Sequence, residues 1–500
     1  MPTSYHLNAN PLVRYLEKDA RDFTREDIIS YVDAHNIRMV NFRYVGGDGR
    51  LKTLNFVITN RRHLEDILTF GERVDGSSLF PFMGTGSSDL YVVPRYRTAF
   101  ENPFSEEPSL EILCSFFNHE GKPLELSPEY VLSKAITRFR EETGLDMKFL
   151  GELEYYVISK REALFEAVDQ KGYHESVPFT KWEHLRKEAM LNIARMGGTL
   201  KYGHSEVGNF SDEYYNYEQN EIEFLPTDVE EAAEQLVLGK WILRSLAHKY
   251  GVSLSFAPKI TVGKAGSGLH IHMKLLKDGV SVTGDENGLS DVSRRAIAGI
   301  MDLAASLTAF GNTVPTSYLR LVPHQEAPTN ICWGDRNRSV VVRVPLGWVG
   351  AGNMTRDANP CEDSCAEERP SKQTFEYRVA DGSANPYLIV AGLVVAALRG
   401  IEMPAALEMA EQLYVSGNIF RPEFRERLAT FRQLPASCVE SAEALEAKRA
   451  IFEADGIFPT GMIESRIASL KAFDDRGLSE RLYGNNEAIR ELVEEYLHIA

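Results

Sequence analysis

Cysteine is scarce: Cys114, Cys332, Cys361, Cys365 and Cys438 are the only five in 500 residues, odd in number and scattered. A disulfide framework is not expected, and a reducing cytoplasmic location fits this usage. Cys361 and Cys365 stand four apart in a polar stretch with no second pair, too little for a zinc site. Long hydrophobic runs are missing as well. The longest, Tyr387 to Leu398, has 12 residues, whereas a bilayer span takes about 20. The opening M-P-T-S-Y-H-L-N-A-N lacks the basic head and apolar core of a signal peptide. Positive charge is short: 55 Lys and Arg against 72 Asp and Glu leave a net −17, so neither nucleic acid nor a membrane is expected as a partner. With 37 glycines and 22 prolines, the chain is neither low-complexity nor collagen-like. It also has no Walker A loop, because V-G-K-A-G-S-G lacks both the spacing and the Gly-Lys-Ser/Thr order.

What is present is a globular mixture, 43% hydrophobic and 25% charged, on a chain long enough for two unequal domains. Residues 1–22 are weakly patterned and read as a loosely held extension. From Ile37, R-M-V-N-F-R-Y-V alternates, G-G-D-G-R reads as a turn, and L-K-T-L-N-F-V-I as a returning strand. A punctuated helix follows, with Ser127 as cap, Pro128 at its first position and Gly144 as stop. The domain boundary falls just before it, separating 23–124 from 125–500. Asp228 to Tyr250, closed by Gly251, and Val292 to Phe310, closed by Gly311, carry helical periodicity. The polar segment between Gly347 and Lys372 reads as a long surface loop, and the tail from Glu440 as amphipathic helices. The predicted class is α+β.

Several probable strands carry chemistry on one face. In G-E-L-E-Y-Y-V, Glu152 and Glu154 share a face, while Leu153, Tyr155 and Val157 share the other. Glu221 and Glu223 repeat this in N-E-I-E-F, His270 and His272 in L-H-I-H-M, and Glu376 and Arg378 in F-E-Y-R. S-E-V adds Glu206, Y-L-R-L-V-P adds Arg320 and V-V-V-R-V-P adds Arg343. Taken singly, each is an ordinary half-exposed strand. Together they form an acidic, imidazole- and guanidinium-bearing surface that is costly to enclose unless cations and anions occupy it. Oxygen-rich sites with one imidazole suit Mg²⁺ or Mn²⁺, and arginines facing them suit phosphate or carboxylate.

These segments, together with V-D-G-S-S at Val74 to Ser78, H-Q-E-A-P, N-R-S-V-V-V-R-V-P and A-D-G-S-A-N-P-Y-L, resemble the glutamine synthetase family over roughly Ile37 to Arg399. The resemblance implies a small N-terminal β-grasp domain and a large catalytic domain with a curved antiparallel sheet flanked by helices. It implies ATP as cosubstrate, two or three Mg²⁺ or Mn²⁺ ions per site, and stacked rings, as in a dodecamer, with sites between subunits. Carried over by position, Glu154, Glu206 and Glu221 hold one metal, and Glu152, His270 and Glu376 hold the other. Arg320 grips the substrate α-carboxylate and Gly266 lines the glutamate pocket. Arg338, Arg343 and Arg378 surround the transferring phosphoryl group, and His272 contacts the nucleotide. Asp75 from a neighbouring subunit takes the ammonium proton, Ser78 and Tyr173 line that pocket, and Glu326 sits on the shielding flap. Trp333 and Tyr318 are expected in the core.

The implied reaction is the ATP-dependent formation of glutamine from glutamate and ammonia through γ-glutamyl phosphate. Asp75, Ser78, Tyr173, Glu206 and Glu326 favour ammonia. Departures from the family pattern favour a γ-glutamyl ligase acting on a polyamine or other organic amine: Ala265 and Thr316 each replace the usual Asn. Glu218, Lys274, Leu319 and Thr374 also depart, for the usual Gly, Ser, Lys and Arg. A non-catalytic ring-forming relative is the third alternative.

Overall fold

Alternating side chains produce the expected hairpin in the computed structural model, which describes residues 5–80, 83, 88–285, 288–322, 327–347, 354–362, 372–417 and 424–499. It is preceded by α1 (Pro11–Leu16) and α2 (Arg25–Ala34), capped by the side chains of Asn10 and Thr24. β1 (Met39–Val45) and β2 (Leu51–Val57) pair antiparallel with Met39 opposite Val57. Then come α3 (Arg61–Phe70), β3 (Glu72–Asp75), β4 (Asp89–Pro94), β5 (Phe100–Glu101) and β6 (Ser109–Phe117). The strand order is β2-β1-β6-β4-β3, β5 lies beside β6, and β1 and β6 run parallel. This is a β-grasp arrangement, with Ile28, Phe42, Leu68 and Ile112 buried in its core. Residues 11–16 are not the loose extension expected: Leu12 and Val13 of α1 are buried in that same core.

In the second, larger part α4 (Pro128–Thr143) has its expected boundaries, and Gly144 closes it at φ +64°. Ser127 holds the cap position without capping, because its hydroxyl donates to the Leu124 carbonyl instead. The chain continues through β7 (Asp146–Lys160), α5 (Glu183–Arg195), β8 (Leu200–Ser211), β9 (Tyr215–Phe224), β10 (Thr227–Asp228) and α6 (Val229–Tyr250). Next are β11 (Ser253–Ser255), β12 (Leu269–Lys277), β13 (Val280–Ser281), β14 (Gly284–Asp285), β15 (Gly288–Leu289) and α7 (Asp291–Gly311). There follow α8 (Ser317–Arg320), β16 (Trp333–Asp335), β17 (Val342–Val344), α9 (Met354–Ala358), β18 (Phe375–Tyr377) and α10 (Pro386–Glu402). The principal sheet runs β16-β17-β18-β12-β7-β9-β8, antiparallel except where β16 meets β17.

One face of this sheet is apolar: Leu153, Tyr155, Ile222, Ile271 and Met273 are all buried beneath the helices. Among the described residues no single helix is long and apolar enough to cross a bilayer. The apolar run that begins at Tyr387 lies in α10, a core helix packed so closely on α7 that a Cβ at Gly299 would stand 1.9 Å from the Ala396 carbonyl oxygen. Two local expectations shift. Gly311 is the last residue of α7 and Asn312 caps it. Arg320 sits on α8, a single helical turn, not on a strand. The described part of the 347–372 segment includes the exposed α9 and exposed Cys361, whereas Cys365 lies outside the described residues. Trp333 and Tyr318 are buried as expected, their polar atoms bonded to the Ala410 and Asn312 carbonyls. The tail supplies α11 (Ala406–Gln412), α12 (Arg425–Leu428), α13 (Cys438–Glu453), α14 (Thr460–Lys471), α15 (Leu478–Leu482) and α16 (Asn486–Glu495).

Candidate active site

The polar face of the sheet is assembled by register. Across β12, β7 and β9, His270 is opposite Glu152 and Glu152 is opposite Glu223; two residues on, Glu154 is opposite Glu221 and Glu221 opposite His204 of β8. On the other flank His272 of β12 faces Glu376 of β18, which faces Arg343 of β17. Because side chains alternate along each strand, Glu152, Glu154, His204, Glu221, Glu223, His270 and Arg343 line one cavity of about 640 Å³, with His272 and Glu376 bonded behind them to Glu152 and Arg343.

Glu152 is held by two imidazoles, its carboxylate oxygens lying 2.8 Å from His270 Nδ1 and 2.8 Å from His272 Nε2. Burial opposes its ionisation, yet His272 and His270 hold its carboxyl well below the usual range. His272 is raised in return: burial acts against its charge, but Glu152 and Glu376 outweigh that. Fully buried Glu376 accepts from Arg343 Nη1 at 3.1 Å and from Arg378 Nη1. Glu154 accepts from the Gly268 amide at 2.7 Å and Gln219 Nε2 at 3.2 Å. Glu221 differs from these. Burial and repulsion from Glu152, Glu154, Glu206 and Glu223 push its carboxyl well above the usual range.

Three donor groups could hold a cation, each with its ligand atoms within 4.8 Å of one another: Glu152, His270 and Glu376; Glu154, Glu221 and His270; and His204, Glu206 and Glu221. A fourth joins Glu152, Glu223 and His272. The first is the trio named from the sequence. The second trio expected from the sequence, Glu154, Glu206 and Glu221, is not a single group: Glu221 joins Glu154 and His270 on one side and Glu206 and His204 on the other. Carboxylate-rich sites with one imidazole, carrying a buried excess of negative charge, fit Mg²⁺ or Mn²⁺.

Arg320, Arg338, Arg343 and Arg378 line the same cavity. Arg320 is anchored by the Val379 carbonyl at 2.8 Å, and a Cβ at Gly266 would stand 3.1 Å from its Cγ. Tyr173 is also in the wall, half-exposed, stacked on His174 at 4.2 Å and edge-on to His204 at 5.3 Å. Asp75 and Ser78 are not in the wall. They sit exposed at and just beyond the end of β3, where the Ser77 and Ser78 hydroxyls donate to the Asp75 carboxylate and hold it below its usual range. Glu326 lies outside the described residues.

Two departures acquire structural roles. The Thr374 hydroxyl is 3.0 Å from His272 Nδ1. Glu218 accepts from the Lys181 and Trp182 amides, and burial pushes its carboxyl up to about 6. Sequence reasoning missed His204, Tyr202 and Lys259, all in the cavity wall. His204 stands two residues before Glu206, the same period-two signal that located the other pairs. Tyr202 precedes it by two more.

Comparisons with known proteins agree with this architecture. The description "Glutamine synthetase, catalytic domain" matches residues 125–474, and "Glutamine synthetase, beta-Grasp domain" matches residues 36–119. A glutamine synthetase of Pyrococcus horikoshii is 31% identical over 422 residues, 84% of this chain and 86% of that protein. One from Thermus thermophilus is 30% identical over 447 residues, 87% of this chain and 92% of the other. Among solved structures, Plasmodium falciparum glutamine synthetase matches with TM-score 0.75 at 19% identity, covering 92% of this chain and 99% of that one. A GmaS/ADP complex matches with TM-score 0.70 at 19% identity, covering 93% and 99%.

Proposed function

The chain belongs to the glutamine synthetase family of ligases, and on that premise we propose that it joins the γ-carboxylate of glutamate to ammonia with hydrolysis of ATP to ADP and phosphate. The observation that carries this reading is the meeting, in one cavity, of a carboxylate and imidazole floor with five arginines. A carboxylate is a poor electrophile, so its oxygen first attacks the ATP γ-phosphorus, releasing ADP and leaving γ-glutamyl phosphate. Ammonia then attacks the acyl carbon and phosphate departs.

In this reading Arg320, beside Gly266, orients the α-carboxylate, while Arg338, Arg343 and Arg378 offset charge on the phosphoryl oxygens. Divalent cations, when bound among the six ligands Glu152, Glu154, Glu206, Glu221, His270 and Glu376, supply further neutralisation of that charge. His272, fixed between Glu152 and Thr374, faces the nucleotide. Ammonium is not a nucleophile, so Asp75 of an adjacent subunit takes its proton, with Ser78 and Tyr173 around it. Glu326 covers the intermediate from water. The assembly this requires is a ring, stacked as a dodecamer.

A second reading rests on the rings of Tyr173, Tyr202 and His204, which stand beside Glu206 and Glu221. Aromatic faces next to carboxylates also suit an alkylammonium ion, as in a γ-glutamyl ligase for a polyamine or other organic amine. ADP release measured with glutamate and a panel of amines separates the two. Turnover with ammonia supports the first, and turnover with putrescine but none with ammonia overturns it. A non-catalytic relative would hydrolyse no ATP with any amine and gain no thermal stability from Mg²⁺ or Mn²⁺.

A further inference from the structure

A second cavity, of about 540 Å³, lies away from the catalytic one, between the β1–β2 turn and α6. From the turn it takes Gly49, Arg50 and Leu51. From α6 it takes Val237, Lys240, Trp241, Arg244, Ala247 and His248, whose three- and four-residue spacing puts them on one helical face. His498 closes one side. Among the described residues, its wall therefore carries two arginines, a lysine and two histidines and no aspartate or glutamate, in a chain whose net charge is −17.

The cations are not there to satisfy carboxylates. Lys240, 5% exposed, donates to the neutral Gly382 carbonyl oxygen at 2.8 Å. Arg244 Nη2 donates to the Ile499 carbonyl at 2.5 Å, and its guanidinium lies over the Phe256 ring at 5.0 Å. Enclosing like charges without a counterion is unfavourable. The strain registers on Lys240: burial, with Arg244 and Arg50 adding to it and only Asp381 opposing, pushes its ammonium down to about 7. The rest of the wall is apolar, from Leu51, Val237, Val252, Leu254 and Pro386.

We propose that this inter-domain cavity binds a small organic anion, with phosphate or carboxylate groups on Arg50, Lys240 and Arg244 and an apolar body against Val237, Trp241 and Leu254. Arginines engage both groups in bidentate fashion, and the enclosed apolar wall favours an anion with a flat or branched hydrocarbon part over a bare ion. The site shares no residue with the catalytic cavity, so it stands whichever amine the enzyme uses.

The test is calorimetric titration of the full-length protein with inorganic phosphate, phenyl phosphate and phthalate. The comparison is between wild type, Arg50→Ala, Arg244→Gln and Arg338→Ala, the last reporting on the catalytic cavity. One molecule per chain should bind, phenyl phosphate or phthalate more tightly than inorganic phosphate, and the tighter of the two identifies the charged group. Arg50→Ala and Arg244→Gln should each weaken binding about tenfold, the effect of one lost charged contact, with Arg338→Ala unchanged. Arg50 is exposed, so its variant keeps the fold even where Arg244→Gln does not. The proposal is overturned by no binding at millimolar probe, by binding that Arg50→Ala leaves intact, by loss in Arg338→Ala alone, or by a change of oligomeric state in Arg50→Ala without anion binding.

Discussion

Glu154 on β7 and Glu221 on β9 are directly opposite one another in the antiparallel register. Both are more than nine-tenths buried. Like charges paired across a ladder destabilise it, so the sheet carries a penalty that a divalent cation relieves. Glu221→Gln is therefore expected to raise the Tm of EDTA-treated protein, at about 1 °C per kcal/mol for a chain of 500 residues. It should also abolish most of the gain that Mn²⁺ gives wild type, and turnover with it. Thermal scans with and without Mn²⁺ check this; a chelated variant less stable than chelated wild type contradicts it.

Glu376 should behave in the opposite way. It is fully buried and answers Arg343 and Arg378. Removing it leaves the buried Arg378 guanidinium, and the part-buried Arg343 beside it, without their carboxylate, which costs about 3–5 kcal/mol. Glu376→Ala is expected to lower the urea midpoint and abolish activity. Glu376→Gln should recover part of the stability but none of the turnover. Equal midpoints for wild type and the alanine variant would show that the pairs contribute nothing.

The contrast between these two carboxylates explains what the sequence could reveal. Period-two alternation identified Glu152 with Glu154, Glu221 with Glu223 and His270 with His272, because both faces of each strand are written in adjacent letters. Which strands are neighbours is not written locally. That β8 lies beside β9 brings His204 onto Glu221, at 3.2 Å from Nε2 to the carboxylate, and no count along H-S-E-V gives that contact. Arg320 lines the cavity of the strand-borne carboxylates but sits on a one-turn helix, not a strand, and one turn is too short to show a period. Leu12 and Val13 are the two buried residues of a helix only six long, too short to announce that α1 docks into a core.

Gly266 lies where the backbone and the cavity wall crowd together. A Cβ there would come within 2.5 Å of the Pro258 carbonyl oxygen and 3.1 Å of Arg320 Cγ. Gly266→Ala should displace Arg320 and raise the KM for glutamate about tenfold or more, while the KM for ATP changes little. Steady-state kinetics with each substrate varied would detect the split. Equal rises in both constants would argue for general misfolding instead.

Lys240 sets a pH dependence. Its ammonium titrates near 7 in the folded protein against 10.5 unfolded. Between those values the unfolded chain holds the extra proton, so stability rises with pH from about 7 toward 10.5, by up to ~1.4 kcal/mol per unit. Below 7 both states are protonated and the whole penalty remains. Lys240→Met is expected to be more stable than wild type at pH 7, with the difference shrinking toward pH 10. Denaturation at several pH values in buffer without multivalent anions measures it, and a pH-independent difference would exclude this origin.

Asp75 gives the most direct test of shared sites. It is exposed at the end of β3 and absent from the wall of its own chain's cavity, whereas Glu154 lines that wall. If Asp75 serves a neighbour, Asp75→Ala and Glu154→Ala are each inactive for different reasons. A mixed oligomer then contains some interfaces where an intact Asp75 meets an intact Glu154. Unfolding and refolding the two variants together should restore a fraction of wild-type turnover, approaching one quarter for random mixing at equal amounts, since each healthy half-site is present with probability of about one half. Both substitutions are surface or cavity changes that leave the core untouched, so each variant alone should still assemble. Activity that stays at background in the mixture, with assembly confirmed by sedimentation, would place proton removal within a single chain and exclude Asp75 from it.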